Sequence, residues 1–513
     1  MFEFTEMQRV IKKLTRQIAE GELLRKVKVT VDGHEETLEL RRALDESDQY
    51  PLDFIKKLGA AGILSVFIQE NYGGMGEGIT GLCLATEEVA RICPASSTAY
   101  AANGLGAMPI VLFGTEEQKT KYLPKIAAGE NLAAFGLTES SAGSDALALK
   151  TTAIANGKFF VLNGEKIFIS NGQQAGIYVV FAVTNPQRGS RGISGFIVEK
   201  GTAGFTFGKN EIKMGLHASA TCSLIFSECV IPQSNLLGER EGTGAIAILN
   251  TLHRSRIGVG AQAVGAAQGA FEAALDFAQQ RKQFGRPIYE FQAVAHKLIN
   301  MLMKIEAARA LVYKAAWYAD HGADKDIIAK FGAMAKCFSS DIAQEAASEA
   351  VQIFGGCGYM REYPVEKFMR DVKVFQIYEG TNEVQRNEII NILIKEAINL
   401  RPAENLIEAG TLHAVERLFY RVLLEEKEIS GHFNQCMQHR FADLAMKLES
   451  ARALDEKSHE LVDDKLLMLS ESYSGQIIRE TSVTLGLFRK GFYSKIDEEH
   501  DNIAKFLKEA RFK

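Results

Sequence analysis

Three uninterrupted stretches rich in alanine and leucine limit the fold of this chain more than any other feature of its sequence. They span residues 246–281, 291–321 and 324–354, and their apolar residues recur at the 3.6-residue spacing of an α-helix. Helices of this length are typical of bundles in which long antiparallel neighbours share one apolar core. The sequence therefore predicts a helical bundle that begins near residue 245.

A different pattern precedes these helices. From about residue 133, short runs of β-branched and aromatic residues are separated by Asn-Gly, proline and glycine. This pattern is typical of short strands and predicts an all-β domain of roughly 110 residues. The runs are 159–162, 167–169, 177–183, 195–198 and 222–226.

The first 132 residues are mostly helical by the same criterion, with one exception. Residues 26–37 alternate valine with polar residues around Asp32-Gly33, which predicts a small hairpin or an extended loop. Beyond a hinge at Arg401-Pro402, further amphipathic segments predict more helices. We therefore expect an α+β chain of four parts: a helical domain (1–132), a β-barrel-like domain (133–244), a helical bundle (245–398) and a helical extension (399–513).

Charge and cysteine usage exclude several classes of function. The chain has 59 basic and 64 acidic residues and a formal net charge of −5, so we expect no nucleic-acid partner. Its seven cysteines form no CxxC pair and no His/Cys cluster at zinc spacing, which predicts no metal site and reduced, buried thiols in a cytoplasmic protein. No secretory signal and no apolar run of about 18 residues occurs, so we expect no membrane-spanning helix.

Two polar motifs flank the start of the β-domain. The loop 137–145 (LTESSAGSD) carries hydroxyls that suit a polar ring or a phosphate, although taken alone it is more typical of a plain surface loop. The segment 163–172 (NGEKIFISNG) predicts a strand between two Asn-Gly turns. On such a strand, Phe168 and Ser170 point to the same side. An ordinary hairpin explains the same pattern.

Three further motifs lie in the bundle. Residues 281–288 (RKQFGRPI) place a guanidinium where it would clamp a pyrophosphate, or complement a helix dipole. Residues 352–359 (QIFGGCGY) admit a ligand close to the backbone, or cap a helix. In 376–386 (QIYEGTNEVQR), Glu379 follows an apolar run, whereas Glu383 with Thr381 would cap the next helix. Each motif alone has an ordinary structural explanation.

Taken together, in this order and at these distances, the five motifs resemble those of the acyl-CoA dehydrogenases over residues 40–398. The resemblance implies a helical domain, a β-barrel-like domain and a four-helix bundle. The extension resembles, in placement only, that of the very-long-chain members of the family. We expect it to form a structural cap over the bundle, and membrane-surface contact is the alternative.

The resemblance also implies an FAD cofactor held between the β-domain and the bundle. Residues 281–284 and 352–356 correspond to family positions that reach the adenosine end of FAD in a neighbouring subunit, which implies a homodimer or homotetramer. The positions that match the family's cofactor contacts are Phe135, Leu137, Thr138, Ser144, Phe168, Ile169, Ser170, Arg281, Gln283, Phe284, Gln292, Gln352, Gly355, Gly356, Thr381 and Glu383.

By the same resemblance, Glu379 removes the α-proton of an acyl-CoA thioester while the β-hydride passes to flavin N5. The product is a trans-2-enoyl-CoA, and an electron-transfer flavoprotein receives the electrons. A flavin ribityl hydroxyl and the backbone N–H of Glu379 stabilise the enolate, and burial raises the pKa of the carboxyl. Some family members place the base on the long helix, but residues 252–256 (LHRSR) contain no carboxylate. The expected substrate contacts are Ala101, Ser144, His253, Arg256 and Gly380.

The sequence departs from the family pattern at several positions. Ser140 replaces a proline, which we expect to loosen its loop, and Phe168 replaces a common tryptophan. The acyl pocket is expected at residues 100–104 (YAANG). Its small Ala101 and Ala102 permit medium or long acyl chains, and the absence of arginine there argues against a dicarboxylic substrate.

Other functions are compatible with the same motifs. An acyl-CoA oxidase or an enoyl-CoA reductase uses the same site chemistry, and sequence alone does not separate them from a dehydrogenase. A non-catalytic assembly or scaffold protein on this fold is the alternative from a different class, and retention of Glu379 counts against it. A flavin monooxygenase of the same superfold lacks the catalytic glutamate.

Overall fold

A computed structural model describes residues 1–31, 34–400, 412–430 and 434–489 of the chain. The N-terminal part is helical, as predicted. Helix α1 begins at a capping box in which Thr5 and Gln8 satisfy each other's backbone N–H groups. Residues 26–31 and 34–39 pair as two antiparallel strands, as a hairpin requires, with Val27 opposite Leu38, and the expected turn at Asp32-Gly33 lies outside the described residues. The elements are α1 (Glu6–Leu23), β1 (Lys26–Val31), β2 (His34–Glu39), α2 (Leu40–Ser47), α3 (Leu52–Ala60), α4 (Gly78–Ile92), α5 (Pro94–Phe113) and α6 (Glu116–Ala127).

The middle part is a seven-stranded sheet in the order β3-β6-β4-β5-β9-β8, with β7 paired to β6. Each run that we expected to be extended lies within one of its strands. The strands are β3 (Ala133–Gly136), β4 (Thr152–Asn156), β5 (Phe159–Ser170), β6 (Ile177–Val183), β7 (Ile193–Glu199), β8 (Phe205–Phe207) and β9 (Thr221–Pro232).

The prediction of a turn at Asn163-Gly164 is wrong. Strand β5 runs through both residues, and its register against β9 shifts between Leu162 and Gly164. Gly164 takes a φ of 145°, so the Asn-Gly pair forms a bulge rather than a reversal. The second pair, Asn171-Gly172, does end the strand, and the Gly172 N–H donates to the carbonyl of Ile169.

The three long alanine-rich stretches form helices, as predicted: α7 (Gly244–Gln280), α8 (Gln292–Asp320) and α9 (Lys325–Phe354). Glycines let these helices approach closely. A Cβ on Gly265 would stand 2.2 Å from the carbonyl oxygen of Glu87 on α4, and one on Gly332 would stand 2.4 Å from that of His253. Residues 281–288 form a short hairpin between α7 and α8, β10 (Lys282–Gln283) with β11 (Arg286–Pro287). Helices α10 (Pro364–Val372) and α11 (Asn382–Leu400) complete this part.

The described part of the extension is helical, as predicted, with α12 (Leu412–Ser430), α13 (Gln435–Leu461) and α14 (Asp464–Arg489). The predicted hinge at Arg401-Pro402 lies outside the described residues. Helix α13 packs on α8 and α11. Ion pairs accompany this contact, among them Lys314–Glu456 at 2.7 Å. Of the helices in the described part of the chain, none is both long and apolar enough to span a bilayer.

The cysteines are only partly as expected. Five of the seven are buried, but Cys357 is half-buried and Cys436 is exposed. All seven are free thiols, and they lie scattered over the four parts of the chain.

Candidate active site

A cleft of about 1260 Å³, including its open mouth, lies where the N-terminal helices, the β-domain and the bundle meet. Helices α4 and α5 line one side, β3 and the end of β5 another, and the middle of α7 with the loop before α11 a third. The predicted residues that line it are Ala101, Phe135, Leu137, Thr138, Ser144, Phe168, Ile169, Ser170, Arg256, Glu379 and Gly380.

Glu379 occupies a backbone conformation that must be held by its surroundings. Its φ is 57° and that of Gly380 is 90°, so two successive residues lie in the left-handed region. Three side chains hold their carbonyl groups. Arg256 Nε and Gln385 Nε2 each donate to the Glu379 carbonyl at 3.2 Å, and Gln385 Nε2 and Lys336 Nζ donate to the Gly380 carbonyl at 2.9 and 2.8 Å. These donors fix the peptide planes around the carboxylate.

The environment of the Glu379 carboxyl suits a general base. Burial raises its pKa above the ordinary value, because an apolar wall disfavours the charged form. Three groups oppose this shift. Ser255 Oγ donates to Oε2 at 2.7 Å, and the cationic Arg256 and Lys336 lie nearby. The side chain is half-buried and lines the cleft, so the carboxylate is both desolvated and accessible to a ligand.

Across the cleft, the end of β5 presents an aromatic and hydroxyl-bearing surface. Phe168 is 63% exposed and has a φ of 59°, at a second register shift between Lys166 and Ile169. Phe168 and Ser170 both line the cleft, as predicted, but so does Ile169 between them. The bulge, rather than regular alternation, therefore turns three consecutive residues toward the cleft.

The residues present fit the flat ring system of FAD. An exposed phenylalanine lies beside the hydroxyls of Thr138 and Ser170, which suits a ring with a π-face and a polar edge. On the opposite wall, a Cβ on Gly258 of α7 would meet nothing within 4 Å, so this part of the cleft carries no side chain. The cleft thus has room for a planar group between β5 and α7.

The loop 137–145 is tied firmly to β5 despite the serine at position 140. Glu139 and Ala142 exchange two backbone hydrogen bonds at 3.1 Å. The Glu139 carboxylate accepts from Lys166 Nζ at 2.6 Å, and both side chains are buried. Lys166 Nζ also donates to the Leu137 carbonyl at 3.1 Å. This buried ion pair ties the loop to β5, and the loosening effect of Ser140 stays a prediction.

Of the expected substrate contacts, His253 does not line the cleft. Its Nε2 lies 2.9 Å from Oε1 of Glu388, which also pairs with Arg256. The residues are three apart on α7, and Glu388 draws His253 away from the cleft while Arg256 reaches it. The prediction of a role for His253 in binding substrate is therefore not supported by its position.

The expected acyl pocket also needs correction. Only Ala101 and Ala102 of residues 100–104 line the cleft. Tyr100 is buried and donates to the Ile63 carbonyl, and Asn103 accepts from the N–H of Ala133. Both side chains therefore support the helix packing behind the pocket.

A further set of expected cofactor residues gathers at the far end of the bundle, on the surface. Seven residues are exposed there, at the end of α7, the start of α8 and the end of α9: Arg281, Gln283, Phe284, Gln292, Gln352, Gly355 and Gly356. The stacking of Phe277 on Phe354, with ring centroids 4.1 Å apart, brings the ends of α7 and α9 together. At 1.5 Å per residue, Arg281 lies roughly 40 Å along α7 from Ser255. This set is too distant to reach the cleft of its own chain.

Thr381 and Glu383 begin helix α11 rather than line the cleft. Thr381 Oγ1 accepts from the N–H of Val384 at 3.4 Å, which is the capping role that the motif suggested. Hydrogen bonds from its own backbone and from Thr381 lower the pKa of Glu383.

Several residues of the site carried no recognisable signal in the sequence. Gln262 Nε2 donates to Thr98 Oγ1 at 2.6 Å, and its carbonyl oxygen accepts from the Tyr378 hydroxyl. All three line the cleft and link α5, α7 and the catalytic loop. Lys336 lies 44 residues before Gly380, within an apolar helix pattern. Contacts of this kind are visible only once the chain has folded.

Comparison with known proteins agrees with this geometry. Family models of the N-terminal, middle and C-terminal domains of acyl-CoA dehydrogenase match residues 5–130, 134–229 and 242–394. An acyl-CoA dehydrogenase of Bacillus subtilis is 45% identical over 391 residues, 76% of this chain and 98% of its own.

Two solved structures are also similar to this chain. Butyryl-CoA dehydrogenase from Megasphaera elsdenii has a TM-score of 0.72 and 42% identity, covering 77% of this chain and all of that one. An acyl-CoA dehydrogenase from Bacillus anthracis in complex with FAD has a TM-score of 0.81 and 29% identity, covering 95% of this chain and 88% of its own. The chain is therefore a member of the acyl-CoA dehydrogenase family of FAD-dependent oxidoreductases.

Proposed function

We propose that this enzyme oxidises acyl-CoA thioesters to trans-2-enoyl-CoA, with Glu379 as the base that removes the α-proton. The observation that carries this proposal is the placement of the Glu379 carboxyl, with its raised pKa, in the same cleft as Phe168 and Ser170. A carboxylate whose pKa is raised by burial is a stronger base than an exposed one once it is ionised.

The side chains of the chain have separate tasks in this reaction. Thr138, Phe168 and Ser170 would hold the ring system of FAD, which supplies the acceptor for the β-hydride. Glu379 takes the α-proton, and Ser255 orients its carboxylate through the 2.7 Å hydrogen bond. Arg256 holds the Glu379 carbonyl, so that the backbone N–H groups of the loop keep a fixed orientation toward the thioester carbonyl.

The exposed set at the far end of the bundle supports an oligomer. Because Arg281 and its neighbours lie roughly 40 Å from the cleft of their own chain, they would contact FAD only in a second copy. We therefore propose a homo-oligomer, a dimer or a tetramer, in which each cofactor is completed by two chains.

We also propose that the acyl chain that this cleft accommodates is short. Thr98, Gln262 and Tyr378 form a hydrogen-bonded bridge between three walls, and Thr98 and Gln262 are buried. An apolar chain long enough to displace this bridge would break its hydrogen bonds without replacing them, which is unfavourable. The bridge thus opposes the longer chains that the small Ala101 and Ala102 suggest. The name of the Megasphaera elsdenii structure, butyryl-CoA dehydrogenase, is consistent with a substrate of about this length.

An electron-transfer flavoprotein is the acceptor that we propose, and a cytoplasmic location remains a prediction. The oxidase and the reductase share the same base and cleft, so they remain the enzymatic alternatives. A purely structural role does not account for a left-handed, desolvated glutamate held by three side chains in an open cleft.

Anaerobic mixing with butyryl-CoA tests the proposal. The purified enzyme should contain FAD, and its absorbance near 450 nm should bleach on mixing. Glu379→Gln should retain FAD and lose the rapid bleaching, whereas His253→Ala, one turn from the site, should keep it. A colourless protein that does not take up FAD, or rapid bleaching in Glu379→Gln, would refute the proposal. Subsequent exposure to oxygen or to an electron-transfer flavoprotein separates an oxidase from a dehydrogenase.

A further inference from the structure

We propose that Asp443, on helix α13 of the extension, is a positioning residue for the loop that carries Glu379. In this view the extension takes part in catalysis and does not only cover the bundle. The inference rests on the proposed function, because it assigns Glu379 the role of base. The contacts below connect Asp443 to that loop through described side chains.

Lys336 is a buried residue that contacts the loop carrying Glu379. Its ammonium donates to the Gly380 carbonyl at 2.8 Å and to Asn382 Oδ1 at 2.7 Å, and the side chain is fully buried. A buried ammonium needs such acceptors, because an uncompensated charge in the interior is strongly unfavourable. Asn382 is therefore a required partner of Lys336, and its own position matters.

Asp341, on α9, clamps both ends of the loop. Its Oδ1 accepts from Asn382 Nδ2 at 2.8 Å and from Gln376 Nε2 at 2.6 Å. Gln376 precedes Glu379 by three residues and Asn382 follows it by three. One carboxylate oxygen of Asp341 thus fixes the distance between Gln376 and Asn382, and Glu379 lies midway between them in the sequence.

Arg386 connects Asp341 to the extension. Its Nη2 donates to Asp341 Oδ2 at 2.8 Å and its Nε donates to Asp443 Oδ1 at 2.7 Å. A guanidinium that bridges two carboxylates is held in one orientation, and it holds each carboxylate in turn. If Asp443 is removed, Asp341 is the one ion-pair partner that Arg386 keeps among the described residues, and Arg386 is free to shift with it. Asp341, which binds both ends of the loop, is then no longer held by an Arg386 side chain of fixed orientation.

This connection is a property of the extension. The family model of the C-terminal domain ends at residue 394, and Asp443 lies 49 residues beyond it on α13. Another ion pair docks the same helix without reaching the loop. Glu456, on α13, accepts from Lys314 of α8 at 2.9 and 2.7 Å. Glu456→Gln is therefore a matched control for loss of a docking charge.

The experiment compares the FAD-loaded wild type with Asp443→Ala, Asp443→Glu and Glu456→Gln. Hydrogen–deuterium exchange of the peptide covering residues 376–386 reports loop order directly, and steady-state kinetics with butyryl-CoA report catalysis. For Asp443→Ala we expect about fivefold faster exchange in this peptide and an about fivefold lower kcat, with KM unchanged, the size expected for one partly exposed ion pair. Asp443→Glu should restore most of both, and Glu456→Gln should change neither.

Two results would overturn the proposal: exchange in residues 376–386 that is the same in Asp443→Ala and wild type, or equal changes in Asp443→Ala and Glu456→Gln. The second result would mean that the extension matters only through docking. The exchange measurement does not require turnover. If the wild type failed to oxidise acyl-CoA, the proposed function would fail while the link between Asp443 and the loop would still be tested.

Discussion

Replacing Ser255 with alanine should raise the pKa of the catalytic carboxyl. The Ser255 hydroxyl donates to Glu379 Oε2 at 2.7 Å, and this bond favours the ionised form. A hydrogen bond to a charged group contributes about 1.5 kcal/mol at the lower end of its range, which corresponds to about one pKa unit. In Ser255→Ala the pKa of the Glu379 carboxyl is therefore about one unit higher than in wild type.

The acidic limb of the pH–rate profile should therefore shift to higher pH in Ser255→Ala. Where the carboxyl is mostly protonated, the rate is proportional to its ionised fraction, so a shift of about one unit slows proton abstraction about tenfold. Well above both pKa values, the two enzymes should react at similar rates. Stopped-flow measurement of flavin bleaching by butyryl-CoA, from low to high pH, gives both limbs.

Thr251→Val is the matched control, because it removes a hydroxyl one turn earlier on α7. Among the described residues, the Thr251 hydroxyl has no hydrogen-bond partner. Its profile should coincide with that of wild type. An acidic limb that stays in place in Ser255→Ala, or moves to lower pH, would show that Ser255 does not stabilise the charged base.

Three other substitutions test separate parts of the structure. Gln262→Ala removes the centre of the bridge across the cleft, and activity on eight-carbon relative to four-carbon acyl-CoA should rise by about tenfold; an unchanged chain-length profile would contradict a short pocket. Lys166→Met leaves the buried Glu139 without its cation and should lower the free energy of unfolding by about 3 kcal/mol in denaturant titration; a loss well below 1 kcal/mol would show that the pair does not hold the loop. Because burial raises the folded-state pKa of Glu379, the folded protein binds that proton more tightly than the unfolded chain, and stability falls as pH rises from the unfolded value of 4.5 through the folded pKa. Glu379→Gln should therefore unfold at a higher temperature than wild type at pH 8 but not at pH 4, and an equal difference at both would exclude this linkage.

The sequence predicted the long elements well because their signals are local. Helix α7 was expected over 246–281 and spans Gly244–Gln280, since the apolar spacing continues until the basic turn at Arg281. The Asn163-Gly164 pair failed as a turn signal because β9 continues to pair with β5 past it, and only the sheet reveals this. The turn propensity of an Asn-Gly pair is overridden where its strand can pair with a strand distant in sequence.

The site was predictable only where a motif carried it. Glu379 and the segment 168–170 were found through their resemblance to a family pattern, and the structure brings them to the same cleft. His253 was misplaced because its spacing from Arg256 does not reveal that Glu388 binds it from α11. Lys336 and Gln262 could not be predicted, because a polar residue in an apolar helix has no local signature until its distant partner is known.

The most direct test of the account is transfer of deuterium to carbon 2 of an acyl-CoA. In D₂O without an electron acceptor, the FAD-loaded wild type should exchange the α-proton of bound butyryl-CoA, detected by mass spectrometry. Glu379→Gln should lower the rate of this exchange by about a thousandfold, the range typical of a lost general base. Exchange at the wild-type rate in Glu379→Gln would show that another group removes the proton.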